Sequence, residues 1–206
     1  MVELLSYRVL SALTLFMLGL GAWTLSQLVE APKTLSLTSL IIGALGCFLC
    51  LANVQLRFPL TRRALVDVCG CVIPLAVSIL LAVNALTPLY FLASVATYAA
   101  SYALCTRLDS SAVVLRYLEP SVASTLILAY AIPRRELPSL VLSSTLATIL
   151  YVDIVSYVAH YRRVLPPTKR FVVGGAQGLD AIVLTSLTVC GLCIAIYILE
   201  SVACVG

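Results

Sequence analysis

Charge is what this chain has least of. Thirteen lysines and arginines, nine aspartates and glutamates and a single histidine are spread over 206 residues, so that charged side chains make up 11% of the chain. Soluble domains carry about 25%, and a soluble globular domain is therefore excluded as the reading of the whole sequence. The alternation of apolar and polar residues that marks barrel strands is missing. So are internal repeats, low-complexity linkers, groove-reading motifs and connections long enough to hold a soluble domain. These absences remove outer-membrane barrels, solenoids and nucleic-acid binders, and no nucleic-acid partner is expected.

What is present is hydrophobic: 62% of the residues, with a mean hydropathy of +1.10. Crossing a bilayer takes about 20 apolar residues per helix, and backbone groups in lipid must be satisfied within the segment. The sequence thus predicts an all-α fold, a polytopic transmembrane helix bundle forming one integral membrane domain over 1–206, with a lipid bilayer as its surroundings. Spans are expected near 9–29, 36–56, 64–84, 87–105, 113–133, 138–160 and 177–199. The first run is longer than a signal-peptide core and lacks a small-residue cleavage site, so it is read as a helix of the mature protein. Pro74 predicts a kink in the third span. Arg116, Glu119 and Pro120 fall in the fifth, which points to a shorter helix starting at Pro120 after an interfacial segment.

Orientation follows from the basic residues, because positive loops stay cytoplasmic. Arg8, Arg57, Arg62, Arg63, Arg107, Arg116, Arg162, Arg163, Lys169 and Arg170 fall on one side of a seven-span arrangement, and Lys33, Arg134 and Arg135 on the other. The N-terminus is expected inside, in a multi-pass protein of the cell membrane. The net charge of +4 then reports topology and contact with anionic lipid.

The acidic residues sort into two groups. Glu3, Glu30, Asp109, Glu119, Glu136 and Glu200 lie at ends or in connections, whereas Asp67, Asp153 and Asp180 lie in apolar stretches. Asp67 follows Arg63 by one helical turn and is expected to pair with it at i,i+4, not to act as a primary catalyst. Asp153 lies nine residues before Arg162, about 13 Å inside the boundary at 1.5 Å per residue. Asp180 lies ten residues after Arg170, beyond Gly174, Gly175 and Gly178, which make part of that stretch non-helical. Both acids come out at similar depth, and an intramembrane carboxylate is a functional candidate by default. When two carboxylates share a site, their repulsion keeps one protonated while the other is ionised. The ionised one takes a proton from water and the other polarises a carbonyl, which is peptide hydrolysis without a covalent intermediate. The other reading of the acids is structural, with Ser156, Tyr151, Thr185 or Ser186 satisfying them, or with a bound cation.

The segments Tyr151-Val152-Asp153-Ile154-Val155 and Gly178-Leu179-Asp180-Ala181-Ile182-Val183 resemble the active-site helices of the presenilin and signal peptide peptidase group of intramembrane aspartyl proteases. That group has Tyr-Asp on helix 6 and Gly-x-Gly-Asp on helix 7. The resemblance implies a presenilin-like arrangement of helices 6 and 7, with Asp153 and Asp180 as a catalytic dyad and Tyr151, Gly174, Gly175, Gly178, Leu179 and Pro74 as supporting residues. The tyrosine is displaced by one position, Leu179 stands where the group has glycine, and the group's Pro-Ala-Leu on a ninth helix has no counterpart after helix 7. Ile73-Pro74-Leu75 is the nearest substitute.

A second resemblance spans about two-thirds of the chain. Asp67-Val68-Cys69-Gly70-Cys71-Val72-Ile73-Pro74, then Val152-Asp153-Ile154-Val155, then Gly174-Gly175-Ala176-Gln177-Gly178-Leu179-Asp180-Ala181-Ile182-Val183-Leu184-Thr185 is similar to an archaeal and bacterial membrane family known only as a domain of unknown function. The departures are Asp67 for asparagine, and Cys69 and Gln177 for glycine. This family brings no established activity.

The remaining motifs are expected to be structural. The glycine loop with Lys169 and Arg170 could hold an anion at a helix start, yet Asp180 would repel one, and close packing or room for an extended substrate strand beside Phe171-Val172-Val173 accounts for the glycines equally well. Cys47, Cys50, Cys69, Cys71, Cys105, Cys190, Cys193 and Cys204 are read as small hydrophobes at helix contacts. His160 is read as an interfacial polar residue, and no metal or cofactor is expected. The leading expectation is an intramembrane aspartyl protease acting on membrane-protein or peptide substrates. A cation- or proton-coupled transporter using the same two aspartates is the alternative, and a non-catalytic membrane scaffold the third class. The sequence leaves the oligomeric state open.

Overall fold

A helix carrying leucine, valine and small hydroxyl residues on every face belongs inside a bundle, and Leu137–Ala147 (α6) is such a helix. All of its residues except Leu146 are buried. In the computed structural model, which describes residues 2–52, 54, 56–61, 64–108, 113–155, 157–161, 171–175 and 179–203, six other helices complete the bundle. These are α1 (Val2–Leu28), α2 (Lys33–Leu51), α3 (Ile73–Ala82), α4 (Pro88–Cys105), α5 (Leu118–Ala131) and α7 (Ala181–Ala203). α3, α4 and α7 pack directly on α6, α1 and α2 pack along each other, and α1 also lies against α7.

Five helical stretches are long and apolar enough to cross a membrane: Ser6–Leu28, Lys33–Leu51, Pro88–Cys105, Arg134–Ala159 and Ala181–Ala203. Val68–Ala82 and Leu118–Ala131 are shorter apolar helices. Large apolar side chains such as Leu13, Ile41, Phe48, Leu92, Leu104, Ile127 and Leu199 are exposed on the outside of the bundle, as expected where the surrounding solvent is lipid.

The expected third span, 64–84, is only half right. Ala64–Asp67 is a strand (β2), paired antiparallel with Arg57–Pro59 (β1) and parallel with Phe171–Val173 (β5). A short apolar run does not reveal its period, and the second valine-rich segment, distant in sequence, satisfies the β2 backbone. A π-helical turn, Val68–Val72, then leads into α3. Pro74 sits in the first turn of α3, where the π turn gives way to α geometry. The fifth span shortens as Pro120 suggested. Val113–Leu115 (β4) pairs with Thr106–Leu108 (β3), and α5 starts at Leu118 with Glu119 and Pro120 in its first turn.

Hydroxyl groups join the helices. Tyr98 meets Thr125 at 2.8 Å, Ser101 meets Ser124 at 2.8 Å and Tyr102 meets Ser121 at 3.1 Å, tying α4 to α5. At the end of the bundle where α6 begins, buried Glu136 accepts from the Thr87 amide at 3.0 Å and from the Thr87 hydroxyl, holding the start of α4. Arg134 stacks 3.7 Å over the Tyr197 ring, donates to the Tyr197 carbonyl at 2.6 Å and to Ser201, and lies 3.6 Å from Glu200. That clamp joins the start of α6 to the end of α7.

α1 and α2 cross at Gly19 and Gly43, where an added β-carbon on Gly19 would stand 2.8 Å from the Gly43 Cα. Backbone on both sides leaves no room to yield. Gly43→Leu is expected to destabilise the protein by about 1–3 kcal/mol through overpacking, while Gly191→Ala, which meets nothing within 4 Å, is expected to change little. Thermal unfolding of the two variants in the same detergent checks this.

Candidate functional site

Three irregular backbone segments converge at the end of the bundle where α1 begins, and each carries an aspartate. The first is the π turn Val68–Val72 ahead of α3, with Asp67 at its head. The second is the continuation of α6 as a π-helix over Thr148–Val155, with Asp153 inside it. The third is the broken entry to α7, ending at Asp180. Non-helical or loosened backbone at membrane depth persists only where it is buried in protein or lines a water-filled cavity. π segments are rare and concentrate at functional sites.

Asp180 is the N-cap of α7. Its Oδ1 accepts from the Ile182 amide at 3.1 Å, and its carbonyl accepts from the Leu184 amide at 3.0 Å. The expected seventh span, 177–199, therefore starts at Ala181, and Asp180 stands just before the helix, where the helix dipole favours a negative charge. Asp153 is half-buried in the π-helical part of the sixth helix. Asp153 and Asp180 lie within coulombic range of each other. Cys71, buried against Val173 and Ile182, lies within the same range of Asp153, Asp180 and Asp67. Tyr7 of α1 faces Asp180 and Asp67 in the same way.

Asp67 differs from its expected role. It sits in a strand, not a helix, so the i,i+4 pairing with Arg63 does not apply, and Arg63 is outside the described residues. The strand register sets Arg57 opposite Asp67, with the Arg57 Nε 3.7 Å from Oδ2. The other oxygen accepts from the Gly70 amide at 3.0 Å. The carboxylate is 1% exposed, and it organises the π turn.

The glycines have a packing role. Gly174 has φ +73°, which L side chains rarely adopt, and a β-carbon on Gly70 would collide with the Gly174 carbonyl. Backbone thus meets backbone where the α3 entry touches the α7 entry. Gly175 is exposed and Leu179 half-buried. Tyr151 is half-buried against the main core, and Pro74 is buried. Gly178, Ser156, Lys169 and Arg170 lie outside the described residues. Thr185 and Ser186, considered as partners for the acids, bond instead to Thr148 and Thr145 at 3.1 and 2.7 Å. Among the described cysteines, Cys50, Cys69, Cys71, Cys190 and Cys193 are buried and outside any disulfide; Cys193 donates to the Leu137 carbonyl at 3.4 Å.

Sequence reasoning missed Gly70, Cys71 and Arg57. The spacing Asp67-x-x-Gly70 is a capping arrangement and was available as a signal; the cross-strand placement of Arg57 was not, because it depends on a turn between two short strands.

The fold and site together define a helical protein with spans of membrane-crossing length and carboxylates gathered at one end of its bundle. The chain belongs to the family described as "Protein of unknown function (DUF1614)", whose model matches residues 48–192, a range that contains all three aspartates. No curated protein and no solved structure matches it.

Gly174→Ala places a side chain at positive φ and against Gly70, and is expected to lower stability by about 1–3 kcal/mol. Gly175→Ala, whose β-carbon would come no closer than 3.2 Å to the Val172 carbonyl oxygen, is expected to cost less. Melting temperatures of the purified variants compare the two.

Proposed function

We propose that this chain is an intramembrane aspartyl protease of the presenilin and signal peptide peptidase type, with Asp153 and Asp180 as its catalytic pair. The observation that carries the reading is the convergence of these two half-buried aspartates, one in a π-helical stretch and one at a broken helix start, on segments joined by the 3.1 Å Thr148–Thr185 bond. The chain lies in the cell membrane with its N-terminus in the cytoplasm, by the distribution of basic residues, and its substrates are membrane-spanning or membrane-proximal peptides. One aspartate, ionised, takes a proton from a water between them as that water attacks the peptide carbonyl. The other, protonated, hydrogen-bonds the carbonyl oxygen and stabilises the charge that develops there. The Asp180 cap holds its carboxylate fixed, since one oxygen is committed to the Ile182 amide. The α3 entry, with Asp67, Gly70 and Pro74, lies against the α7 entry through the Gly70–Gly174 contact and forms the third wall of this proposed site.

A second reading, an ion- or proton-coupled transporter, draws on a different observation. Hydroxyls run from the site into the bundle: Thr148 on Thr185 at 3.1 Å, then Thr145 between Ser186 at 2.7 Å and Ser78 at 2.9 Å. Intramembrane acids above a polar column also suit a cation path.

Asp153→Asn and Asp180→Asn, each reconstituted in liposomes with a quenched transmembrane peptide, are expected to lose cleavage by about 100-fold or more, because an amide cannot cycle a proton. Both variants are expected to unfold within a few degrees of the parent. Retained cleavage in either variant removes Asp153 and Asp180 as the catalytic pair, and a parent that moves sodium or protons down a gradient without cutting peptide sinks the protease reading in favour of transport.

A further inference from the structure

The apolar interior of this protein is divided in two. The larger cluster runs through the bundle, and a smaller one is built from buried Cys71, Val173 and Ile182, with Val66, Ile149 and Phe171 packed on them. The smaller cluster draws on every segment that converges at the aspartates: β2, the π turn, the sixth helix, β5 and the start of α7. Chain position fixes its depth. Ile149 lies four residues from Asp153 and four from Thr145, Ile182 two from Asp180 and four from Ser186, and Cys71 four from Asp67 and seven from Ser78. In each segment the order is acid, apolar side chain, hydroxyl. At about 1.5 Å per residue, the cluster stands about one helical turn or less inside the acids. The Ser78–Thr145–Ser186 rung lies deeper still, and the Thr148–Thr185 bond crosses the inner side of the cluster.

Water enters a narrow place only where polar groups receive it, and an apolar constriction dewets. Cys71, Val173 and Ile182 are each 5% exposed or less. The seam beside them, between the α3 entry and the α7 entry, is shut by the Gly70–Gly174 backbone contact. Below the cluster the hydroxyls need no water, since Ser78, Thr145, Thr148 and Ser186 bond to carbonyls of their own helices as well as to one another's helices.

We propose that the Cys71–Val173–Ile182 cluster, with Ile149 against it, is a watertight floor that closes the aspartate site from the hydroxyl column beneath. The proposal rests on the reading of Asp153 and Asp180 as one wetted site. Water reaches the acids from the end of the bundle where α1 begins and goes no further. A proton taken up or released there returns to the same side, so the site is open to hydrolysis and closed to conduction, and the hydroxyl column serves to hold the helices together.

The test follows water with a small charged methanethiosulfonate reagent on the full chain, with mass spectrometry locating each modified thiol. Leu179→Cys, half-buried beside Asp180, reports the wet side and keeps both acids; Ser186→Cys reports the column. Labelling at 179 is expected to be about 10-fold or more faster than at 186, because thiol reactivity follows access. Adding Ile182→Thr or Ile149→Thr to Ser186→Cys puts a hydroxyl into the floor and is expected to raise labelling at 186 several-fold. Leu140→Thr, a buried position of α6 outside the small cluster, is expected to leave it unchanged. Equal labelling at 179 and 186 overturns the floor. So does a rate at 186 that neither threonine variant changes, or that Leu140→Thr raises equally, in protein that still melts cooperatively. Should neither floor variant fold, the comparison of 179 with 186 decides alone. Absence of labelling at 179 overturns the wetted site, and the floor and the protease reading with it. Sodium or proton movement by the parent overturns the floor, whereas absence of peptide cleavage without ion movement overturns the protease reading only.

Discussion

The structure depends on one set of contacts, the hydroxyl rungs between α3, α6 and α7. In the buried interior, Thr145 sits between Ser78 and Ser186, and Thr148 meets Thr185. Such bonds between membrane helices contribute about 0.6–2 kcal/mol each, modest beside the whole. Their larger effect is on register: an apolar contact tolerates sliding, whereas a hydroxyl off its partner is left unsatisfied where nothing can replace it. Because Ser78 lies eleven residues after Asp67, Thr145 eight before Asp153 and Ser186 six after Asp180, setting three helices at the rungs sets three aspartates at one end.

The two ends of the bundle are built differently. At the end where α6 begins, Glu136 holds Thr87 and Arg134 grips Tyr197, Ser201 and Glu200, and the helix is regular from its first turn. At the other end the backbone departs from α geometry in all three segments that carry an aspartate. Those departures persist because the surroundings over-determine them: the Gly70–Gly174 contact, the Asp67 cap with its Arg57 partner, and the pairing of β2 with β5. A regular end thus supports an end whose irregular backbone is held by tertiary contacts.

Most of the fold was legible. The helices of α1, α2, α4 and α7 show as long apolar runs because lipid imposes length and apolarity directly on sequence. Pro120 marked the shortened α5. The β2 strand was not legible, since four residues of Ala-Leu-Val-Asp read equally as helix and only the distant Phe171–Val173 makes them a strand. Of the site, Asp153 and Asp180 stood out by their charge in apolar surroundings, and the resemblance of their flanks pointed to a shared role. Asp67 was visible but misassigned, because its partner depends on strand pairing and not on helical spacing.

The sequence by itself determined the largely helical class, the placement of the long apolar helices α1, α2, α4 and α7 and the identity of the unusual acids. These follow from local composition, which the surrounding medium reads residue by residue. Tertiary structure decided the β2–β5 pairing, the backbone contact of Gly70 with Gly174, the Arg57–Asp67 pair and the π backbone of Thr148–Val155 that carries Asp153. Each depends on two segments far apart in the chain meeting in space, and neither segment alone carries a pattern that specifies the meeting.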